Sequence, residues 1–326
     1  MRNRYIFSCG DINGIGPEIV IKALNLIAGK RGAQFIFTCP ENVFNATSTF
    51  ITPGFKYKTV STIGEIQDEK IILFNTGKFA QSFGSPTKAS GKAAFISLEA
   101  AVEILKQRKA DALITAPLSK EALHSAGYNY PGHTEMLAEW FDTKNFVMMF
   151  LSKKLKAALT TIHKPLAAVP GLITPAKLES VFSVVIDSLK KDFKLSTPAI
   201  GVLGLNPHAG ESGLIGREEE EVIKPFLKEY SQRKYLKGPF SPDAYWGNKT
   251  YEKFDLTLGM YHDQVLIPFK LLNFSKGVNY TAGLPVVRTS PDHGVAYDIA
   301  GKSTAKETSI LEAFHFAEII LNNRKK

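Results

Sequence analysis

Short apolar runs alternate with amphipathic stretches along this chain, and that alternation constrains its fold more than any other feature. Tyr5 to Cys9, Phe35 to Cys39, Ile71 to Phe74, Ala112 to Thr115, Lys156 to Ile162, Ala199 to Leu205 and Phe254 to Met260 have the length and apolar character of strands. Helical patterns lie between them. Pro17 suits the first turn of a helix running past Leu24. Ser90 is expected to cap a long helix whose apolar face carries Ala94, Leu98, Ala101, Val102 and Leu105. Thr174-Pro175 opens a helix to about Phe193, another is expected over 217–230, and Ile310 to Leu321 forms the last. Repeated strand–loop–helix order predicts an α/β fold with helices on the faces of a sheet. A chain of 326 residues exceeds what one hydrophobic core usually organises, so two lobes are expected.

Composition removes several functional classes. Hydrophobic residues at 44% and charged ones at 22% suit an ordinary globular protein. No apolar run approaches the roughly 20 residues that span a bilayer, and the apolar stretch near the start is too short for a signal peptide. The net charge of +9 comes from scattered lysines without an aromatic-interleaved stripe. Attraction for small anions is therefore expected, but no nucleic-acid partner and no membrane partner. Cys9 and Cys39 make no disulfide framework and fit a reducing, cytoplasmic setting.

The chemistry-bearing residues cluster on loops. In GLNPHAGESGLIG, residues 204 to 216, His208 sits on a glycine-rich loop directly after an apolar run. His163 and His262 occupy the same position after the runs ending at Ile162 and Met260. Open α/β sheets bind ligands beyond the carboxyl ends of their strands. Three neutral imidazoles converging there would suit a divalent metal with open positions. Three unrelated loop histidines are the other reading, and spacing alone leaves both standing. Asp263 and Glu211 are candidate supports for the imidazoles. His133 and Thr134 precede a helical run in PGHTEML, where free backbone N–H groups suit an anion. Lys270, Asn279 and Arg288 follow late in the chain, and Arg288 is placed on a loop as a candidate carboxylate or phosphate clamp. The dinucleotide fingerprint GxGxxG is missing after the first strand, so any NAD site here is not of the Rossmann type.

GDINGIGPE, APLSKEAL, GHTEML, GLNPHAGESGLIGREE, SPDAYW, YHDQVLIPFK and RTSPDHGVAYDIAGK occur in this order over nearly the whole chain. Together they closely resemble the 4-hydroxythreonine-4-phosphate dehydrogenase (PdxA) family of pyridoxal phosphate biosynthesis. DHGVAYDIAGK is also similar to the cofactor loop of isopropylmalate and isocitrate dehydrogenases. The resemblance implies a two-lobed α/β/α, isocitrate/isopropylmalate dehydrogenase-like fold with its site in the interdomain cleft at a dimer interface. It divides the chain into residues 1–130 plus about 275–326, carrying the cofactor loop, and about 131–274, carrying the metal histidines and dimer contacts.

It also implies NAD(P)-dependent, metal-assisted oxidation of 4-phosphooxy-L-threonine to a β-keto acid that decarboxylates to 3-amino-2-oxopropyl phosphate. His163, His208 and His262 then look like ligands of one zinc, magnesium, cobalt or manganese ion, with His262 donated across a homodimer. His133, Thr134, Lys270, Asn279 and Arg288 look like substrate contacts, with Asp243 and Asp263 as supporting acids. Gly294, Asp298, Ile299 and Gly301 look like cofactor contacts. Related substrates, such as 4-phospho-threonate or cyclic cis-diol carboxylates, would use the same histidines. A metallohydrolase would use them to activate water without a nicotinamide. A binding protein for a phosphorylated ligand would show no redox change.

Overall fold

In the computed structural model, residues 2–273 and 276–325 are described; the expected boundary at 274/275 and the terminal Lys326 of the basic tail lie outside them. The chain divides into two compact units, Met1–Asp142 with Leu284–Leu321, and Thr143–Gly283 with Asn322–Lys326. Residues 131–142 and 276–283 thus group differently from the sequence expectation, as does the chain's end.

The first unit holds strands β1 (Asn3–Ser8), β2 (Ala33–Cys39), β3 (Lys58–Val60), β4 (Ile71–Asn75) and β5 (Ala112–Thr115). The second holds β6 (Val147–Leu151), β7 (Lys156–Leu159), β8 (Ile200–Leu203), β9 (Leu236–Phe240), β10 (Leu256–Gly259) and β11 (Val278–Ala282). The chain then returns to the first unit with β12 (Val287–Pro291).

Strands of the first unit run in the order β3-β4-β2-β1-β5-β12, all parallel. Every residue of β2 is buried, as a parallel strand covered on both faces requires. The helix Lys88–Lys106 packs on β1, β2 and β5. It is capped by Thr87, not Ser90: Thr87 Oγ1 accepts from Ser90 N at 3.0 Å, and Ser90 Oγ accepts from Thr87 N at 3.1 Å. Ser90 is therefore the inner partner of a capping box. On the other side, the Phe314 ring meets Tyr5 edge-on at 4.9 Å and Phe35 at 5.6 Å.

In the second unit the order is β11-β6-β7-β10-β8-β9. β7, β10, β8 and β9 run parallel, while β6 is antiparallel to both its neighbours. The helix expected over 217–230 is a π turn, Glu219–Ile223, followed by an α segment, Lys224–Glu229. Pro225 has no N–H to continue an α ladder, and the preceding turn widens. Among the described residues no single helix is long and apolar enough to cross a membrane.

Candidate functional site

β7, β10 and β8 are immediate neighbours, and His163, His262 and His208 follow them in that order. The three loops thus leave the same edge of one parallel sheet. Pairing continues past the strand ends: Thr160 N donates to Gly259 O at 2.9 Å and Thr161 N to Met260 O at 3.1 Å. That register carries the chain to His163, at φ 50°, beside His262, whose ring centroid is 6.1 Å away. His262 opens the helix His262–Asn273, and its Nδ1 lies 2.7 Å from Asp263 Oδ1. A carboxylate only accepts, so Nδ1 carries a proton and Nε2 is the nitrogen left to bind a ligand. Both rings, with Lys164, Tyr261 and Asp263, line a cavity of about 250 Å³.

The His208 loop is organised by a residue from the start of the helical segment expected over 217–230. Glu219 is fully buried, and its Oε1 accepts from Leu205 N at 2.6 Å and Asn206 N at 2.7 Å. Its Oε2 accepts from Asn206 Nδ2 at 2.8 Å, and Glu218 takes a second bond from the same amide at 2.7 Å. That bond helps to lower the Glu218 pKa. Held by this carboxylate, residues 208 to 212 form a left-handed turn, with φ of 53°, 50°, 78°, 41° and 57°. Left-handed backbone costs a non-glycine residue about 1–2 kcal/mol, so such a run needs anchoring. His208 is exposed on it. Asp243, in the helix Pro242–Gly247 after β9, lies close enough for the His208 charge to act on it. Its carboxyl pKa is lowered chiefly by the bond from Ser241 Oγ, at 2.5 Å, with a smaller contribution from His208.

Gln264 ties the loops of His208 and His262 together. Its Oε1 accepts from Met260 N at 2.7 Å, and its Nε2 donates to Gly204 O at 2.7 Å. Nothing in YHDQ marks that glutamine as different from a solvated helix residue. Glu211, expected near the histidines, is exposed on the left-handed turn. Among the described residues, no three histidines, cysteines or carboxylates of one chain are disposed to hold a metal. The donor chemistry of three imidazoles fits a divalent ion, but the described residues of one chain do not assemble the set.

The first unit carries a different group. Arg288 lies within β12, not on a loop, and is 2% exposed. Its Nη2 donates to Thr115 Oγ1 at 2.7 Å, and its Nη1 lies 3.5 Å from Thr134 Oγ1. Burial lowers its pKa to about 10, against the opposing pull of Glu135. His133 and Thr134 open the helix His133–Trp140 behind Gly132, which supplies no side-chain cap. Burial, then the charge of Arg288, pushes the His133 pKa well below its ordinary value. A neutral imidazole, hydroxyls and a buried guanidinium form a receptor for an oxyanion.

Asn279 lies in β11 of the second unit, and its Oδ1 is enclosed without a hydrogen-bond donor among the described residues. Lys270 is exposed on the helix His262–Asn273. Gly294, Asp298, Ile299 and Gly301 lie on one loop after β12, around the short helical turn Tyr297–Ile299. Gly294 has open space where a side chain would stand, and Gly301, at φ +74°, packs against the Phe83 ring. The open space at Gly294 fits the close approach of a planar or phosphorylated group.

Two α/β units, one with histidines along a sheet's carboxyl edge and one with a buried arginine among hydroxyls, carry the side chains of a small-molecule enzyme. The family model for pyridoxal phosphate biosynthetic protein PdxA matches residues 30–317, and the chain belongs to that family. The 4-hydroxythreonine-4-phosphate dehydrogenase of Sulfurihydrogenibium sp. (strain YO3AOP1) is 41% identical over 97% of this chain and 98% of its own. That of Bacteroides thetaiotaomicron is 36% identical over 97% of this chain and 88% of its own. The crystal structure of the Klebsiella pneumoniae 4-hydroxythreonine-4-phosphate dehydrogenase superposes with a TM-score of 0.85 at 33% identity, over 98% of each chain.

Proposed function

We propose that this protein oxidises 4-phosphooxy-L-threonine with NAD(P)⁺ in pyridoxal phosphate biosynthesis, and that the β-keto acid formed loses CO₂ to give 3-amino-2-oxopropyl phosphate. The observation that carries the reading is the placement of His163, His262 and His208 after three adjacent parallel strands. The relatives named for this reaction supply the substrate.

Arg288 and the start of the helix at His133 hold an anionic end of the substrate, and His133 stays neutral there. Asn279 Oδ1 accepts from a substrate N–H or O–H donor. Lys270, exposed on its helix, adds positive charge. His163, His208 and His262 hold the divalent ion, which when bound supplies positive charge where an alkoxide or enolate develops. Neutral ligands leave that charge undiminished, and Asp263 and Asp243 orient the rings from behind. Gly294, Asp298, Ile299 and Gly301 would hold the nicotinamide nucleotide, which would supply the hydride acceptor.

The ligand set is completed in a homodimer, with His262 donated to the partner's site. Apolar side chains flanking the histidines support a subunit surface: Leu166 is 67%, Leu214 83%, Ile267 57% and Leu271 80% exposed. The deciding assay follows NADH formation from 4-phosphooxy-L-threonine and from 4-phospho-threonate, with and without a chelator. Chelator-sensitive turnover of the amino substrate supports the reading. Turnover of the threonate alone moves the enzyme to another phosphorylated hydroxy acid. Phosphate release without nucleotide replaces the dehydrogenase with a hydrolase.

A further inference from the structure

The first turn, GDINGIGPE, touches neither the histidines' strands nor Arg288 in any hydrogen bond described above, yet it is among the most enclosed segments of the first unit. Asp11 is fully buried in it. Its Oδ1 accepts from Asn13 N at 2.8 Å, and its Oδ2 accepts from Ser90 Oγ at 3.0 Å and Tyr297 Oη at 2.9 Å. Burial raises the Asp11 pKa, and these bonds oppose the rise. Tyr297 belongs to the Gly294–Gly301 loop, so a carboxylate in the first turn grips a side chain near the other end of the sequence.

The same turn also grips the loop's backbone once and the chain just past it once. Ile15 N donates to Val295 O at 3.0 Å. Past the loop, Glu18 Oε1 accepts from Ala305 N at 3.0 Å and from Lys22 Nζ at 2.8 Å. Lys22 Nζ also donates to Ser303 O at 2.9 Å and Ala305 O at 2.7 Å. Between these ties the backbone is left-handed at Ala296 (φ 46°), Gly301 (φ 74°) and Ser303 (φ 59°). Such a conformation persists in non-glycine residues only where surroundings hold it. Asn13 holds a second loop against this one: its Oδ1 accepts from Ser82 N at 2.7 Å and its Nδ2 donates to Ser85 O at 2.9 Å. Phe83 of that loop forms the floor under Gly301.

We infer that Asp11 and Tyr297 form a latch that holds the 294–301 loop in its nucleotide-binding shape, making both of them positioning residues for the cofactor. The inference rests on the reading of that loop as the nicotinamide nucleotide site. Neither side chain is assigned a contact with the reacting atoms. Their effect falls on the affinity for NAD(H), because an unlatched loop spends less time in the competent conformation.

The test compares Tyr297→Phe, Asp11→Ala, the double variant and Asp298→Ala with the parent enzyme. The readouts are hydrogen exchange at 296–301, NADH dissociation constants by fluorescence titration, and separate KM values for nucleotide and phosphorylated substrate. Losing one hydrogen bond to a charged group is expected to weaken NADH binding about three- to tenfold and to speed loop exchange. The phosphorylated substrate's KM is expected to stay put, and the double variant to be no worse than Asp11→Ala alone. Tyr297→Phe keeps the ring and answers the question if Asp11→Ala fails to fold. If Tyr297→Phe leaves NADH affinity unchanged while Asp298→Ala weakens it, the loop binds the nucleotide and the latch is overturned. If neither variant changes NADH binding, the cofactor-loop reading fails and takes the latch with it.

Discussion

Arg288 is buried at 2% exposure, with hydroxyl partners and Glu135 close enough to act on its charge, and in the proposed function it also holds an anionic end of the substrate. Arg288→Lys keeps the charge but loses the planar fork, and kcat/KM for the phosphorylated substrate is expected to fall at least about a hundredfold, roughly 3 kcal/mol. Steady-state kinetics check this; a tenfold loss or less would mean the arginine is structural. His133 gives a pH effect whose sign is fixed. Its folded pKa is depressed, so the folded site refuses a proton that the unfolded chain takes up below about 6.5. The stability is present above that value and is lost as pH falls from it toward the folded pKa. Urea midpoints between about pH 7 and pH 5 should drop in the parent and drop less in His133→Gln. Sequence reasoning named Arg288 but put it on a loop, because VVRTSP contains no pattern that separates an inward arginine from an outward one.

At the scale of elements, the π turn Glu219–Ile223 and the left-handed run at 208–212 are one construction. Glu219→Ala would leave the amides of Leu205 and Asn206 without their acceptor and is expected to cost about 2–4 kcal/mol, read as a lowered urea midpoint. Gly210→Ala puts a Cβ 2.7 Å from Glu219 Oε2 at φ +78° and should disturb the same loop. If both variants keep parental stability and metal content, the loop does not depend on that carboxylate. The sequence located the loop correctly, after an apolar run and before a helical one. It could not show that the second of four consecutive glutamates turns inward, since an acidic first turn already satisfies the helix dipole. The cap at Thr87 escaped for a similar reason: Thr87 and Ser90 are both competent caps, and only the backbone decides between them.

For the molecule as a whole, the proposed donation of His262 between subunits predicts complementation. His163→Ala and His262→Ala, each inactive alone, should recover about a quarter of parental activity after subunit mixing, since half the dimers are mixed and each regains one intact site. No recovery after demonstrated exchange would place all three ligands within one chain. The chain's end matters to the second unit's stability. Asp192 is buried, and Arg324 Nε donates to its Oδ1 at 2.7 Å while Arg324 Nη2 meets Tyr280 Oη at 3.0 Å. Tyr280 Oη in turn donates to Asp192 Oδ2 at 2.5 Å. Arg324→Met strands a buried carboxylate and should cost about 3–5 kcal/mol, measured by chemical unfolding.

The sequence by itself determined the α/β class, the strand–loop–helix order and the loops on which the chemistry-bearing residues stand, because these follow from local periodicity and turn chemistry. It also carried enough motifs in order to identify the family. Only tertiary structure decided which strands are neighbours, and therefore that His163, His262 and His208 share one sheet edge in the order β7, β10, β8. The same holds for the inward turns of Arg288, Glu219 and Gln264, and for the grip of Asp11 on Tyr297 across 286 positions. Local sequence encodes how each segment bends. Strand order and long-range hydrogen bonds depend on which buried groups must find partners when distant segments meet, and no window of sequence contains both members of such a pair.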